Sequence, residues 1–188
     1  ATGRGVGRGT DRAPWLAVKR RRLVRMAGWS RDPLGTSPAF VADVGSGDGY
    51  FTLPIARRVG SRGVVYAVDP SVERLTRLHE QAEEEGLENI RIRAITAEEL
   101  AVCEGCADLV FYGNCLHDFA DPAVALQNAM TTLKPGGRLA SIDWRKEETL
   151  SGGDLVGPPV EIRFSEEEAA GLVRAAGFVV ESIAPSGP

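Results

Sequence analysis

From Phe40 onward, apolar runs of strand length alternate with amphipathic stretches of helix length, and no other feature constrains this chain as much. "AFVADV" (39–44), "GVVYAVD" (63–69), "NIRIRAI" (89–95), "ADLVFYGN" (107–114), "GGRLASIDW" (136–144) and "FVVESIAP" (178–185) read as strands. "YFTLPIARRV" (50–59), "PSVERLTRLHEQAEEEG" (70–86), "PAVALQNAMTTL" (122–133) and "SEEEAAGLVRAAGF" (165–178) read as helices. The strand runs are mostly continuously apolar, as a sheet buried on both faces requires. Alternation of the two kinds implies a parallel sheet with helices on both sides. That is an α/β, Rossmann-like, doubly wound fold in three layers, α/β/α. Boundary signals agree: Pro54 falls in a first helical turn, Ser165 and Glu168 form a capping box, and Gly86 and Gly177 close helices.

The 188 residues suffice for one domain with a full core, preceded by a short arm. Residues 1–38 read as a basic N-terminal arm and helix, and 39–188 as the domain. "ATGRGVGRGTDR" is Gly- and Arg-rich with little to bury, and reads as a flexible arm. "APWLAVKRRRLVRMAGW" places Trp15, Leu16, Val18, Leu23, Val24, Met26 and Ala27 on one helix face with arginines opposite. Residues 1–31 carry nine Lys/Arg against one Asp, whereas the rest carries 13 bases and 25 acids. Two readings of this arm stay open: a surface for RNA, an anionic surface or an acidic substrate, or a solvated helix resting on the acidic body. No apolar run approaches the roughly 20 residues of a membrane span, and no secretory signal is visible. A cytoplasmic location is expected by default.

Cys103, Cys106 and Cys115 make no disulfide framework. "CEGC" is a lone CxxC: no second Cys pair exists, and the only histidines, His79 and His117, do not supply the paired spacing that a structural zinc site usually needs. Cys103 and Cys106 read as loop cysteines without a function; a local disulfide is the alternative in a hyperthermophile.

The chemistry concentrates in "VADVGSGDGYF", Val41 to Phe51. An apolar strand ends in an acid, and glycines follow at 45, 47 and 49. In a parallel sheet, ligands bind at the carboxyl ends of the strands, near the point where strand order reverses. Asp69 closes the second strand, twenty residues beyond Gly49, where it can accept from two ribose hydroxyls. A dinucleotide turn, G-x-G-x-x-G, would put its third glycine at position 50, which is Tyr50. It would also aim a helix N-terminus at an anionic pyrophosphate. Asp43 and Asp48 beside this turn would repel that anion. They favour a cationic ligand instead, and S-adenosylmethionine, with its sulfonium and ammonium groups, meets the same description.

With these residues the sequence resembles the class I S-adenosylmethionine-dependent methyltransferases over about Phe40 to Phe178. "DVGSGDG" is similar to the family's first motif and "VVYAVDPS" to its second. "ADLVFYGNCLHDF" resembles the fourth, and "LKPGGRLASIDW" the fifth-strand motif. The nearest subgroup is the small methyltransferases related to those of ubiquinone and menaquinone biosynthesis; "GPP" followed by "RFSEEEAAGLVRAAGF" is typical of small stand-alone members. The resemblance implies that Asp43, Gly45, Ser46, Gly47, Asp48 and Gly49 hold the methionine part. Asp69 would hold the ribose with Pro70 alongside, and Ala97 the adenine. Asn114 and Cys115 would lie at the methyl end. Thr96 departs from the family's usual Asp; its hydroxyl, or the Glu98 carboxylate, is left to meet the adenine amino group. The resemblance also implies two strands after the last helix, the final one antiparallel. The chain holds only the first of them, so an unpaired edge on the fifth strand is expected.

Methyl transfer from a sulfonium needs the acceptor held in line, and acid–base help only where the nucleophile must lose a proton. "NCLHDF" offers His117 as a base with Asp118 to orient it, the alternative being a packing role. Asp143 and Trp144 end the fifth strand facing the same cleft and are candidates to contact the acceptor. The expected acceptor is a small molecule. The alternative is RNA or protein, reached through the basic arm. A homodimer is a further expected form.

Overall fold

The computed structural model describes residues 39–151 and 154–184. The arm and helix read at 1–38, and residues 185–188, lie outside the described residues. Five parallel strands form one sheet: β1 Phe40–Val44, β2 Val64–Val68, β3 Ile90–Arg93, β4 Ala107–Gly113 and β5 Leu133–Ile142. Their spatial order is β3-β2-β1-β4-β5. Strand order therefore reverses between β1 and β4, where Val41 pairs with Val65 on one side and Leu109 on the other. Helices α1 Thr52–Val59, α2 Val72–Glu84 and α3 Pro122–Thr132 connect β1 to β2, β2 to β3 and β4 to β5, and α4 Glu166–Ala175 follows β5.

Strand residues alternate between two cores, as the period of two demands. Val41, Val65, Leu109 and Phe111 pack with Ala56 of α1, and Ala67 with Leu75 and Leu78 of α2. Ala42, Val44, Val68, Val110 and Tyr112 pack on the opposite face with Ala125 and Leu126 of α3 and Val173 of α4. The three layers expected from the alternation are thus present.

The helix starts follow from side chains that can receive free N–H groups. Ser71 accepts from Arg74 N at 3.3 Å, and Asp121 accepts from Ala123 N and Val124 N at 3.0 and 3.1 Å. Ser165 and Glu168 form the expected capping box. α1 has no side-chain cap; its first turn hangs from the glycine loop through Leu53 N to Gly49 O at 3.0 Å.

Several features differ from the sequence reading. Leu133 already pairs with Ala107, so β5 starts before "KPGG", and Lys134–Gly137 form a bulge before pairing resumes at Arg138. A small antiparallel hairpin, β6 Leu150–Ser151 and β7 Asp154–Leu155, lies between β5 and α4. Cys103 and Cys106 are joined by a disulfide, the local bridge kept as an alternative above. The strand predicted at 178–185 does not form over its described residues, Phe178–Ala184. Phe178 and Val180 pack against the core while Val179 is exposed, which gives the alternation without the ladder. Hydrogen bonds, not alternation, make a strand, and among the described residues β5 pairs with β4 alone.

Candidate active site at the carboxyl ends of β1, β4 and β5

The turn between β1 and α1 is built around close approaches. Gly45 has φ +74°, and a Cβ there would fall 2.6 Å from the Cβ and Sγ of Cys115. Gly49, at φ +97°, leaves no room for a Cβ against Leu78 Cδ1 at 2.4 Å. Both positions need glycine on conformational and steric grounds. Cys115 donates its Sγ–H to Val44 O at 3.1 Å, which ties the segment after β4 to the end of β1.

Asp69 holds this turn in place. Gly47 N donates to its Oδ2 at 2.9 Å, and Ser71 N to its Oδ1 at 2.9 Å. Each oxygen keeps a lone pair for a further donor. Asp43 is wholly buried beneath the turn, and Thr52 Oγ1 donates to its Oδ2 at 2.5 Å. Burial pushes the Asp43 carboxyl up to about 7; the Thr52 bond opposes the rise and the Asp69 charge adds to it.

Among the described residues, four buried polar atoms lack a partner: Asp43 Oδ1, Ser46 Oγ, Asn114 Oδ1 and Ser141 Oγ. Three of these belong to the β1–α1 turn and the end of β4. Unsatisfied buried acceptors are rare and costly, and here they surround a backbone cradle. Asn114 adds a left-handed backbone, φ +63°, with its N–H donating to Ile142 O at 2.6 Å. Such strain in a non-glycine residue concentrates at functional sites. Acceptors without donors, next to acids, suit a ligand carrying an ammonium and hydroxyls.

The residues read against the adenine are placed differently from one another. Thr96 N donates to Glu99 Oε2 at 3.0 Å, closing a capping box on the 3-10 turn Ala97–Glu99. The Glu98 carboxylate faces the start of α3, where Asp121 N donates to it at 3.0 Å. Burial acts to raise its pKa, but the backbone N–H groups outweigh that and hold it below the ordinary value. Glu98 is thus already engaged, and Ala97, buried, is the surface left on that side. Pro70 and Asp48 are exposed at the rim.

His117 lies on the 3-10 turn Leu116–Asp118, two residues beyond Cys115, with its side chain 4% exposed. Its Nδ1 is 2.6 Å from Asp143 Oδ1, and its backbone N donates to Asp143 Oδ2 at 3.3 Å. Asp118, expected to orient the ring, instead reaches Nε2 at 3.3 Å. Asp143, read from the sequence as a candidate to contact the acceptor, is the carboxylate that meets Nδ1 of His117. Burial pulls the His117 pKa down. The bond and charge of Asp143, with Asp118 behind them, outweigh burial and an opposing effect of Arg163, so the net shift is upward. Trp144 is 9% exposed, and its N–H donates to Asp143 Oδ1 at 2.7 Å. Among the described residues no metal-binding cluster is present. A cleft of about 780 Å³ between α2 and β3, lined by Leu75, His79, Leu87 and Ile92, lies on the far flank and shares no residue with this constellation.

Comparison with known proteins agrees with this geometry. A family profile described as "Methyltransferase domain" matches residues 37–170. The chain is 31% identical over 107 residues to the ubiquinone/menaquinone biosynthesis C-methyltransferase of Vibrio vulnificus, covering 56% of this chain and 41% of that one. The corresponding protein of Methylococcus capsulatus is 32% identical over 105 residues, 55% of this chain and 42% of its own. The chain thus spans less than half the length of these curated relatives. A SAM-dependent methyltransferase from Aquifex aeolicus superposes with a TM-score of 0.71 at 26% identity, over 84% of this chain and 93% of that one. The [4+2]-cyclase SpnF shares the fold, with a TM-score of 0.65 at 22% identity over 86% of this chain and 63% of its own. This chain belongs to the methyltransferase-domain family, and its cofactor is S-adenosylmethionine.

Proposed function

We propose that the protein transfers a methyl group from S-adenosylmethionine to a small molecule whose nucleophile must give up a proton, an aromatic hydroxyl compound or reduced quinone being the favoured class. The observation that carries this reading is the junction of the glycine turn with the His117–Asp143 pair through the Gly45–Cys115 contact. Bound S-adenosylmethionine supplies a methyl group on a sulfonium, a good leaving group for in-line displacement. Asp69 and the turn Gly45–Gly49 bind the ribose and methionine parts. Asn114 Oδ1 and Ser46 Oγ supply acceptors that are otherwise unused. His117, oriented through Nδ1 by Asp143, takes the acceptor's proton on Nε2. The likeness to quinone-biosynthesis C-methyltransferases supports a small aromatic acceptor.

The test is transfer of tritiated methyl from S-adenosylmethionine to a panel of phenols, hydroquinones, amines, RNA and protein. Labelling of phenols or hydroquinones, lost in His117→Asn while cofactor binding persists, supports the reading. Labelling confined to RNA or protein overturns the acceptor class. Failure to bind the cofactor overturns the whole reading.

A further inference from the structure

Between Trp144 and α4 the chain makes a strap, described over residues 145–151 and 154–158, and Arg145 pairs with Phe164 in an isolated bridge just beyond Arg163. Arg163 is 3% exposed. Its Nε donates to Pro158 O at 2.7 Å, and its Nη2 to Pro158 O at 2.5 Å and Val156 O at 3.1 Å. Its Nη1 donates to Glu147 O at 2.6 Å, Thr149 Oγ1 at 3.2 Å and Arg145 O at 3.3 Å. All these acceptors are neutral. A buried guanidinium is costly unless its whole fork is satisfied, and here a single side chain gathers five separate residues of the strap.

What the strap encloses is Trp144. The guanidinium carbon of Arg163 lies over the indole, 5.3 Å from the ring centroid. Gly157, at φ +91°, passes so close that a Cβ would fall 2.9 Å from Trp144 Cδ2 and Cε3. The "GPP" motif thereby acquires a structural reason: Gly157 clears the indole and Pro158 O receives the fork. Trp144 in turn donates its backbone N–H to Asp143 Oδ1, the oxygen 2.6 Å from His117 Nδ1.

We propose that Arg163 is a positioning residue for the His117–Asp143 pair, acting through the strap and Trp144 to fix where the Asp143 carboxylate meets the ring. It rests on the proton-acceptor role given to His117 above, but its geometry can be tested without an acceptor. Lysine should not replace Arg163, because a point charge on a flexible stem cannot serve five acceptors.

Three charged groups face His117: Asp143 from the end of β5, Asp118 from its own turn, and Arg163 from ahead of α4. Loss of the Arg163 charge alone would raise the His117 midpoint, since a nearby cation opposes protonation. Loss of the Asp143 contact would lower it. The two explanations thus predict opposite signs. The chain has two histidines, so His117 can be followed by NMR titration against His79. Wild type, Arg163→Met, Arg163→Lys and Asp143→Asn are compared, with S-adenosylhomocysteine affinity as the check on folding. We expect both Arg163 variants to lower the His117 midpoint by about one pH unit, in the direction of Asp143→Asn. Cofactor-product affinity should stay within about threefold, a difference well under 1 kcal/mol. A midpoint that rises or stays put in Arg163→Met overturns the proposal. So does a wild-type midpoint in Arg163→Lys, which also decides the matter should the methionine variant not fold. A parallel collapse of product affinity in the lysine variant would show a general structural role and likewise overturn it. If the midpoints fall as expected but no acceptor is ever labelled, the functional reading fails while the positioning role stands.

Discussion

Asp43 is a carboxylic acid wholly removed from water. Its carboxyl is raised from 3.8 to about 7 by burial, so the unliganded protein carries a proton there at mildly acid pH. The unfolded chain releases that proton near 3.8, so this group's contribution to stability is full below 3.8 and declines as pH rises to about 7. A cation bound above the turn favours the carboxylate. We therefore expect S-adenosylmethionine binding to release protons below pH 7 and to tighten as pH approaches it. Calorimetry at pH 6 in buffers of different ionisation enthalpy should show the release in wild type and not in Asp43→Asn. His117 shifts upward, so its stabilising protonation is complete below its ordinary 6.5 and lost as pH rises through the raised midpoint. Its use as a base requires the opposite state, so kcat/KM should rise with pH through that midpoint. Asp118→Asn, which removes one of the two carboxylates, should move the rise to lower pH. The positions of Asp43, Asp48 and Asp69 were legible in the sequence because strand ends and turn spacing place them. The Asp143–His117 contact was not, because it joins residues 26 apart on two loops and leaves no periodic trace.

At the scale of elements, legibility followed periodicity. All five sheet strands and four helices were readable within a few residues, since each has enough turns or alternations to show a period. The β6–β7 hairpin was not, because two-residue strands have none. The strand expected at 178–185 shows the converse failure: alternation was present and the ladder was not. Capping was legible and carries a measurable consequence. Ser165 accepts from Glu168 N at 3.1 Å, while the Glu168 carboxylate accepts from Ser165 N and from Lys146 Nζ, each at 2.7 Å. Glu168 is held at about 2 by the Lys146 bond first and the Ser165 bonds second. Ser165→Ala should destabilise the protein by about 1 kcal/mol. Thermal melting should show this as a drop of roughly 2–4 °C, with cofactor affinity unchanged. Because Lys146 lies in the strap, the same variant should also speed tryptic cleavage after Arg145 and Lys146.

For the molecule as a whole, the strand order matters more than any single contact. β1 must pair with β4, Val41 meeting Leu109 across 68 residues of chain, before the two halves of the site face each other. Loop closure of that kind is slow, and parallel sheets have no local route around it. Refolding from urea should therefore regain S-adenosylhomocysteine binding only in its slowest phase, together with the final fluorescence change. Binding that appears in an earlier phase would contradict this order. The groups gathered at the switch point come from residues 43–49, 69, 114–117 and 143, on both sides of the point where strand order reverses. During synthesis the His117–Asp143 pair thus cannot form until β5 has left the ribosome. That order is set by strand pairing alone, so the nascent chain would fold along the same path whether or not a cofactor is at hand.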